Sequence, residues 1–111
     1  MRVKRGVVSH AKHKKIFQEI DRICHVYLLP NTYDVVLFGS WAKGNALPTS
    51  DFDIGIVGTH KVPHDVMVNI RSVVEEIPTL RSVDVVDLQT VDDHFKKRAL
   101  AHAKPLHTFY D

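Results

Sequence analysis

The chain has little of the material that proteins use for covalent cross-linking or membrane anchoring. Cys24 is the single cysteine among 111 residues, so no disulfide can form within the chain. No apolar run approaches the roughly 18 residues that a membrane span requires. No apolar segment of the signal-peptide type follows the basic N-terminus. These absences lead us to expect a cytoplasmic protein with no membrane partner.

Neither sign of charge dominates. The 15 basic and 13 acidic side chains leave a formal net charge of +2, which is too balanced to indicate a nucleic-acid-binding protein. Hydrophobic residues make up 44% and charged residues 25%, as in an ordinary globular domain. A chain of this length predicts one domain over residues 1–111, with a modest core. Little surface then remains for a separate acceptor-binding unit.

Hydrophobic periodicity predicts alternating helices and short strands. The predicted helices are Ser9–Leu29, Ser40–Gly44, Pro63–Ile77 and Val91–Ala103, and the predicted strands are Tyr33–Phe38, Asp51–Val57, Val83–Leu88 and Pro105–Tyr110. Ser9 is the expected N-cap of the first helix. Thr90 and Asp93 resemble a capping box for the last one. The pattern predicts an α/β (α+β) fold, in which a small mixed β-sheet carries its helices on one side.

Gly39 and Ser40 lie where the first strand passes into a short helix. Glycine lets the backbone approach an anion closely. The free N–H groups at the start of the helix, with the Ser40 hydroxyl, can donate to phosphate oxygens. In isolation such a pair is more typical of ordinary turn chemistry, so the phosphate interpretation depends on what surrounds it.

Asp51 and Asp53 form the more informative pair. Carboxylates at positions i and i+2 of a strand face the same way, roughly 6.5–7 Å apart along the chain. Their mutual repulsion favours a bound cation, and oxygen ligands suit Mg²⁺; two solvated aspartates at a strand end are the alternative. Gly55 is expected to leave space for a ligand beyond them. The opposite face of the strand is apolar and fixes its register through Phe52, Ile54 and Ile56.

A third carboxylate is expected nearby, because one aspartate pair rarely holds two catalytic metal ions unaided. The strand Val83–Leu88 offers Asp84 and Asp87. Their spacing of three places them on opposite faces of the strand, so only one can join the site. Alternation alone does not decide between them.

The segment from Phe38 to Asp53 resembles a known signature. Phe-Gly-Ser, ten residues and then Asp-Phe-Asp are similar to the motif of the DNA polymerase β-type nucleotidyltransferase superfamily. Size and spacing resemble its minimal nucleotidyltransferase (MNT) branch, whose members pair with a HEPN protein in prokaryotic toxin–antitoxin modules. The resemblance covers most of the chain and implies a polymerase β-like nucleotidyltransferase core.

The resemblance implies a role for each matching residue. Asp84 is preferred to Asp87, because the third carboxylate of this superfamily follows one hydrophobic residue and precedes several. Ser50 lies where the superfamily often has a serine that would orient the first aspartate. The residues so implied are Gly39, Ser40, Lys43 and Ser50 for nucleotide binding, and Asp51, Asp53 and Asp84 for catalysis and metal binding.

Trp41 departs from the pattern, since the superfamily usually has arginine directly after Gly-Ser. The change removes a bidentate phosphate donor. Either Lys43 suffices for the triphosphate, or triphosphate binding is weakened. We expect the Trp41 ring to pack in the core, with stacking on a nucleotide base as the alternative.

The resemblance implies transfer of AMP from ATP to a hydroxyl, with two Mg²⁺ ions as cofactors. The implied acceptor is a tyrosine of a HEPN toxin, which the modification would neutralise, in a complex or oligomer of undetermined composition. Two alternatives remain open at the level of sequence. One is a nucleotidyltransferase acting on small molecules; the other is a weak or inactive module that neutralises a HEPN partner by binding alone.

Overall fold

Helices and short strands alternate along the chain. A computed structural model describes residues 13–111, so the proposed cap at Ser9 lies outside the described residues. The elements are α1 (Lys14–Tyr27), β1 (Tyr33–Phe38), α2 (Gly39–Lys43), β2 (Phe52–Gly58), α3 (His64–Val74), β3 (Val83–Asp87), α4 (Asp93–Ala101), β4 (Lys104–Pro105) and a 3₁₀ helix (Leu106–Phe109). Within this part of the chain, every helix is too short or too polar to cross a membrane.

The strands form one four-stranded sheet in the order β3-β2-β1-β4. Strand β1 is antiparallel to both β2 and β4, whereas β2 and β3 are parallel. Parallel neighbours need a crossover connection, and α3 lies in that connection between β2 and β3. The mixed sheet confirms the predicted fold class.

The larger core lies between one face of the sheet and the helices α1 and α3. The alternate apolar residues of β2 that the sequence places on one face, Phe52, Ile54 and Ile56, are fully buried there. Helix α1 contributes Phe17, Ile20 and Ile23 from its apolar stripe. The 3₁₀ helix closes this layer through Leu106, which is also fully buried.

A second, smaller core covers the opposite face, so the expectation of helices on one side is wrong. Helix α4 packs there, and Ala99 joins Val36, Phe38 and Leu88 in a buried cluster. The physical reason lies in β1, whose last four residues are all buried. A strand that is apolar on both faces needs cover on both.

Two expectations, on the N-cap of α4 and on the last strand, also need correction. The cap of α4 is Asp92, whose Oδ1 accepts a hydrogen bond of 2.8 Å from the Phe95 amide. Thr90 instead donates its hydroxyl to the Asp87 carbonyl at 2.8 Å. The expected last strand is only two residues long, and the 3₁₀ helix that follows buries Leu106 in the main core.

Candidate active site

Strand register brings two of the predicted carboxylates side by side. Asp53 lies opposite Phe38 of β1 and opposite Asp84 of β3. Directly opposed residues project to the same face of a sheet. Asp51 precedes β2 by one residue and has the same parity as Asp53. The three aspartates therefore belong to one corner of the sheet, on the face that α4 partly covers.

The electrostatics of Asp53 reflect this cluster. Partial burial raises the pKa of Asp53, and the negative charges of Asp84 and Asp51 raise it further. Asp51 and Asp84 are themselves exposed. A carboxyl whose charge is disfavoured by burial and by two like charges is stabilised when a cation binds beside it.

Gly39 places the predicted phosphate turn against this cluster. Its φ of 73° lies in the left-handed region that favours glycine. A Cβ at this position would lie 2.2 Å from Oδ2 of Asp53, so any side chain would displace that carboxylate. The requirement for glycine is therefore both conformational and steric, and an anion seated at this turn would lie next to Asp53.

Helix α2 carries two further predicted nucleotide contacts, Ser40 and Lys43. Ser40 is half-buried and Lys43 is exposed. The helix ends at Gly44, whose left-handed backbone (φ of 82°) directs its N–H to the Ser40 carbonyl. Lys43 therefore projects from the last position of a short, capped helix next to the Gly39 turn.

Ser50 and Trp41 stabilise the loop that leads into β2. The Ser50 hydroxyl accepts a hydrogen bond of 2.9 Å from the Leu47 amide, which makes it a loop-forming group. The Ser50 carbonyl accepts a 3.0 Å bond from Nε1 of Trp41. The Trp41 side chain is 1% exposed and its ring centroid lies 5.1 Å from that of Phe52. The prediction that Trp41 packs in the core is confirmed, and its burial excludes stacking on a base.

Asp87 belongs to the opposite face of the sheet. It is 3% exposed, and its Oδ2 accepts a hydrogen bond of 2.8 Å from the Val62 amide. Its Oδ1 accepts from the backbone and the side chain of Gln89. Asp87 thus ties two connections to the end of β3, whereas Asp84 faces Asp53. Sequence alternation could not separate them because each has an apolar residue on both sides.

Gly55 does not leave space for a ligand as expected. A Cβ there would lie 2.7 Å from Cδ1 of Leu88 and 3.1 Å from Cγ2 of Val36. The space is filled by the second core, because α4 and its connection cover this part of the sheet. Gly55 therefore allows close packing of that core.

The donor set at this corner fits Mg²⁺ in its chemistry. Carboxylate oxygens are the protein ligands that Mg²⁺ prefers, and the ion takes its remaining ligands from substrate phosphates and water. Within residues 13–111, no group of three or more His, Cys, Asp or Glu side chains that could hold a metal ion is found. The structure places Asp53 beside Asp84 but does not bring the three predicted aspartates together as a metal site.

Comparison with known proteins agrees with this architecture. The family model "Polymerase beta, Nucleotidyltransferase" matches residues 12–108. No protein of curated function matches the chain significantly.

Three solved structures illustrate the likeness of fold. A toxin–antitoxin crystallised with AMP-PNP is 19% identical, with a TM-score of 0.61 over 85% of this chain and 80% of that one. A complex of the tri-AMPylated Shewanella oneidensis HEPN toxin with MNT antitoxin is 16% identical, with a TM-score of 0.63 over 88% of this chain and 80% of that one. A candidate nucleotidyltransferase from Sulfolobus solfataricus is 24% identical, with a TM-score of 0.59 over 92% of this chain and 90% of that one. At these identities the likeness establishes the fold.

Proposed function

The chain belongs to the polymerase beta nucleotidyltransferase family, and from this we propose that it transfers AMP from ATP to a tyrosine hydroxyl of a HEPN toxin. One observation carries the proposal. The Gly39 turn lies directly against Asp53, which is next to Asp84 in the sheet and feels the charges of both Asp51 and Asp84. The turn proposed as the anion seat therefore lies beside the carboxylates proposed as cation ligands.

The nucleotide would bind across this junction. Gly39 and Ser40 receive its polyphosphate, and Lys43 adds a positive charge beside them. Asp51, Asp53 and Asp84 would hold two Mg²⁺ ions. Bound there, Mg²⁺ offsets phosphate charge and lowers the pKa of an acceptor hydroxyl. Ser50 acts indirectly, because its bonds to Leu47 and Trp41 fix the loop before Asp51.

Asp84 would receive the acceptor. It is exposed and lies on β3, an edge strand of the sheet, so a partner protein can reach it. As general base it would accept the proton of the incoming hydroxyl. The acceptor oxygen then bonds to the α-phosphorus, the bond from that phosphorus to the α,β-bridging oxygen breaks, and pyrophosphate leaves.

The choice of acceptor is supported by the structural neighbours. One neighbouring complex contains a HEPN toxin carrying AMP groups beside an MNT antitoxin, and another toxin–antitoxin was crystallised with AMP-PNP. A partner of this kind would supply the acceptor tyrosine.

Intact-mass measurement tests the proposal. The chain is incubated with Mg²⁺ and ATP, with and without a candidate HEPN partner, and both proteins are weighed. We expect AMP additions on the partner and their loss in Asp53→Asn. Asp65→Asn is the matched control, because Asp65 is an exposed aspartate on α3, against the opposite face. A tight complex with no AMP on either protein would contradict catalysis and favour neutralisation by binding alone.

A further inference from the structure

A cavity of about 150 Å³ lies between α2, the end of β1 and the last turns of α4. Lys43 lines it from α2, and Arg98 and His102 line it from α4. Gly39 forms part of the same wall. The cavity therefore begins at Gly39, the residue that lies against Asp53.

The charged residues that line this cavity are basic. Lys43, Arg98 and His102 belong to the lining, and within residues 13–111 no acidic residue does. None of these three residues takes part in the ion pairs found among residues 13–111. A basic side chain in the last turn of a helix ordinarily offsets the helix dipole, which would account for Arg98 alone. Convergence with Lys43 from another helix points instead to an anionic ligand.

The apolar part of the cavity does not provide a slot for a nucleotide base. Phe38 and Phe95 pack edge to face, with ring centroids 6.1 Å apart and planes at 84°. Their rings are in contact, so a third ring cannot stack between them. They form an apolar floor beneath a rim of N–H donors, and such low-dielectric surroundings strengthen contacts between charged groups.

We propose that Arg98 and His102, together with Lys43, form the subsite that binds the β- and γ-phosphates of the nucleotide and the pyrophosphate that leaves. The inference rests on the proposed function. Arg98 supplies a planar guanidinium that binds phosphate oxygens in pairs, and His102 offers a ring N–H in either protonation state. Because Trp41 is buried, α4 provides the arginine that is missing after Gly-Ser, and it does so from a distant part of the sequence.

Binding measurements test the subsite without requiring a partner protein. Calorimetric titrations with inorganic pyrophosphate, ATP and AMP, each with Mg²⁺, are compared for the wild-type chain and Arg98→Ala. Loss of a charge-assisted contact predicts that affinity for ATP and pyrophosphate falls about ten- to hundredfold. AMP lacks the β- and γ-phosphates, so its affinity is expected to stay within about twofold. His102→Ala is expected to act in the same direction, with a smaller effect.

Two further variants separate a specific contact from general positive charge. Lys97→Ala removes a neighbouring exposed cation of α4 that does not line the cavity, and we expect wild-type affinities. Arg98→Lys keeps the charge but loses the bidentate geometry, so it should recover only part of the affinity. Equal losses in Lys97→Ala and Arg98→Ala would overturn the subsite.

The outcome can be read independently of the acceptor reaction. Weaker pyrophosphate binding in Arg98→Ala, in a chain that modifies no HEPN partner, would support the subsite and remove the proposed function. Normal AMP transfer and normal ATP affinity in an Arg98→Ala, His102→Ala double variant would remove the subsite and leave the function standing. Failure of the wild-type chain to bind pyrophosphate at all would also overturn the subsite.

Discussion

Trp41 shows how packing at one position can shape a candidate active site that it does not enter. Its ring contacts His13 and Phe52, with centroids 4.9 and 5.1 Å away. Its Nε1 donates to the Ser50 carbonyl. Phe52 is the first residue of β2 and lies between Asp51 and Asp53. Trp41 therefore helps to fix the strand that positions both carboxylates.

Restoring arginine at position 41 is expected to destabilise the protein and not to improve nucleotide binding. Trp41→Arg would put a charge into a site that is 1% exposed and remove an aromatic side chain from the core. The expected loss is about 3–5 kcal/mol in the free energy of unfolding, measured by urea denaturation. Trp41→Phe keeps most of the packing and loses one hydrogen bond, so it should lose about 1 kcal/mol from that bond. Tighter ATP binding by a fully folded Trp41→Arg variant would contradict this account.

Asp53 is expected to destabilise the metal-free protein. Because folding raises its pKa, the ionised carboxylate is less favourable in the folded chain than in the unfolded one. Stability should fall as pH rises through the unfolded and then the raised folded pKa. Asp53→Asn removes this penalty.

Thermal unfolding in EDTA tests that expectation. At neutral pH the Tm of Asp53→Asn should exceed that of the wild type by a few degrees, and the difference should shrink in acid. Mg²⁺ should raise the Tm of the wild type more than that of the variant. Asp65→Asn, on the opposite face, should change neither the Tm at neutral pH nor its increase with Mg²⁺. A lower Tm for Asp53→Asn at neutral pH would show that its carboxylate stabilises the fold.

At the scale of elements, the local sequence pattern predicts whether a segment is a helix or a strand better than it predicts which face of the sheet the segment covers. Strand β1 (Tyr33–Phe38) and strand β3 (Val83–Asp87) follow the predicted limits closely. The side of the sheet that α4 covers depends on which strand faces lack cover, a property of the assembled sheet. The same limit explains Gly55, since its neighbours Leu88 and Val36 come from other strands and connections. Sequence near Gly55 carries no sign of them.

The C-terminal segment shows a similar effect of tertiary contacts. Within the C-terminal segment, only Lys104–Pro105 pairs with β1. The chain then forms the 3₁₀ helix and packs against α1. The Tyr110 hydroxyl there donates to the carboxylate of Asp21, a residue of α1 that is 5% exposed. Burial and this hydrogen bond raise the pKa of Tyr110. The chain therefore leaves the sheet after Pro105 and packs against α1.

Tyr110→Phe should therefore loosen the C-terminal segment. The change leaves a buried acceptor of Asp21 with one partner fewer, although His25 remains 3.0 Å from its other oxygen. We expect a loss of about 1–3 kcal/mol in unfolding free energy, with no direct effect on Asp53. Tyr27→Phe is the control, because Tyr27 belongs to α1, the helix that contains Asp21, and is exposed. Equal stability losses in both variants would argue against the Asp21 contact.

At the scale of the whole molecule, one face of the sheet holds most of the core and the other holds the candidate active site. The face under α1 and α3 holds most of the core and the structural carboxylate Asp87. The other face holds a smaller core and, at one corner, Asp51, Asp53 and Asp84. Motif spacing alone could predict Asp51 and Asp53. The pairing of Asp84 with Asp53 required a parallel register between strands that are about 30 residues apart in sequence.

Cys24 provides a probe of the stability of the whole fold. It is the only cysteine, it is fully buried in the main core, and burial raises the pKa of its thiol to about 12. Because the thiolate is the reactive form, alkylation at neutral pH should require unfolding, and its rate should increase with urea. A ligand that binds only the folded chain slows such labelling by the factor 1 + [L]/Kd, or about a hundredfold at 100 times Kd. We therefore expect ATP with Mg²⁺ to protect Cys24 in the wild type and to protect it far less in Asp53→Asn. Labelling that is fast in the absence of urea, and equal with and without the nucleotide, would show that α1 opens independently of the active site.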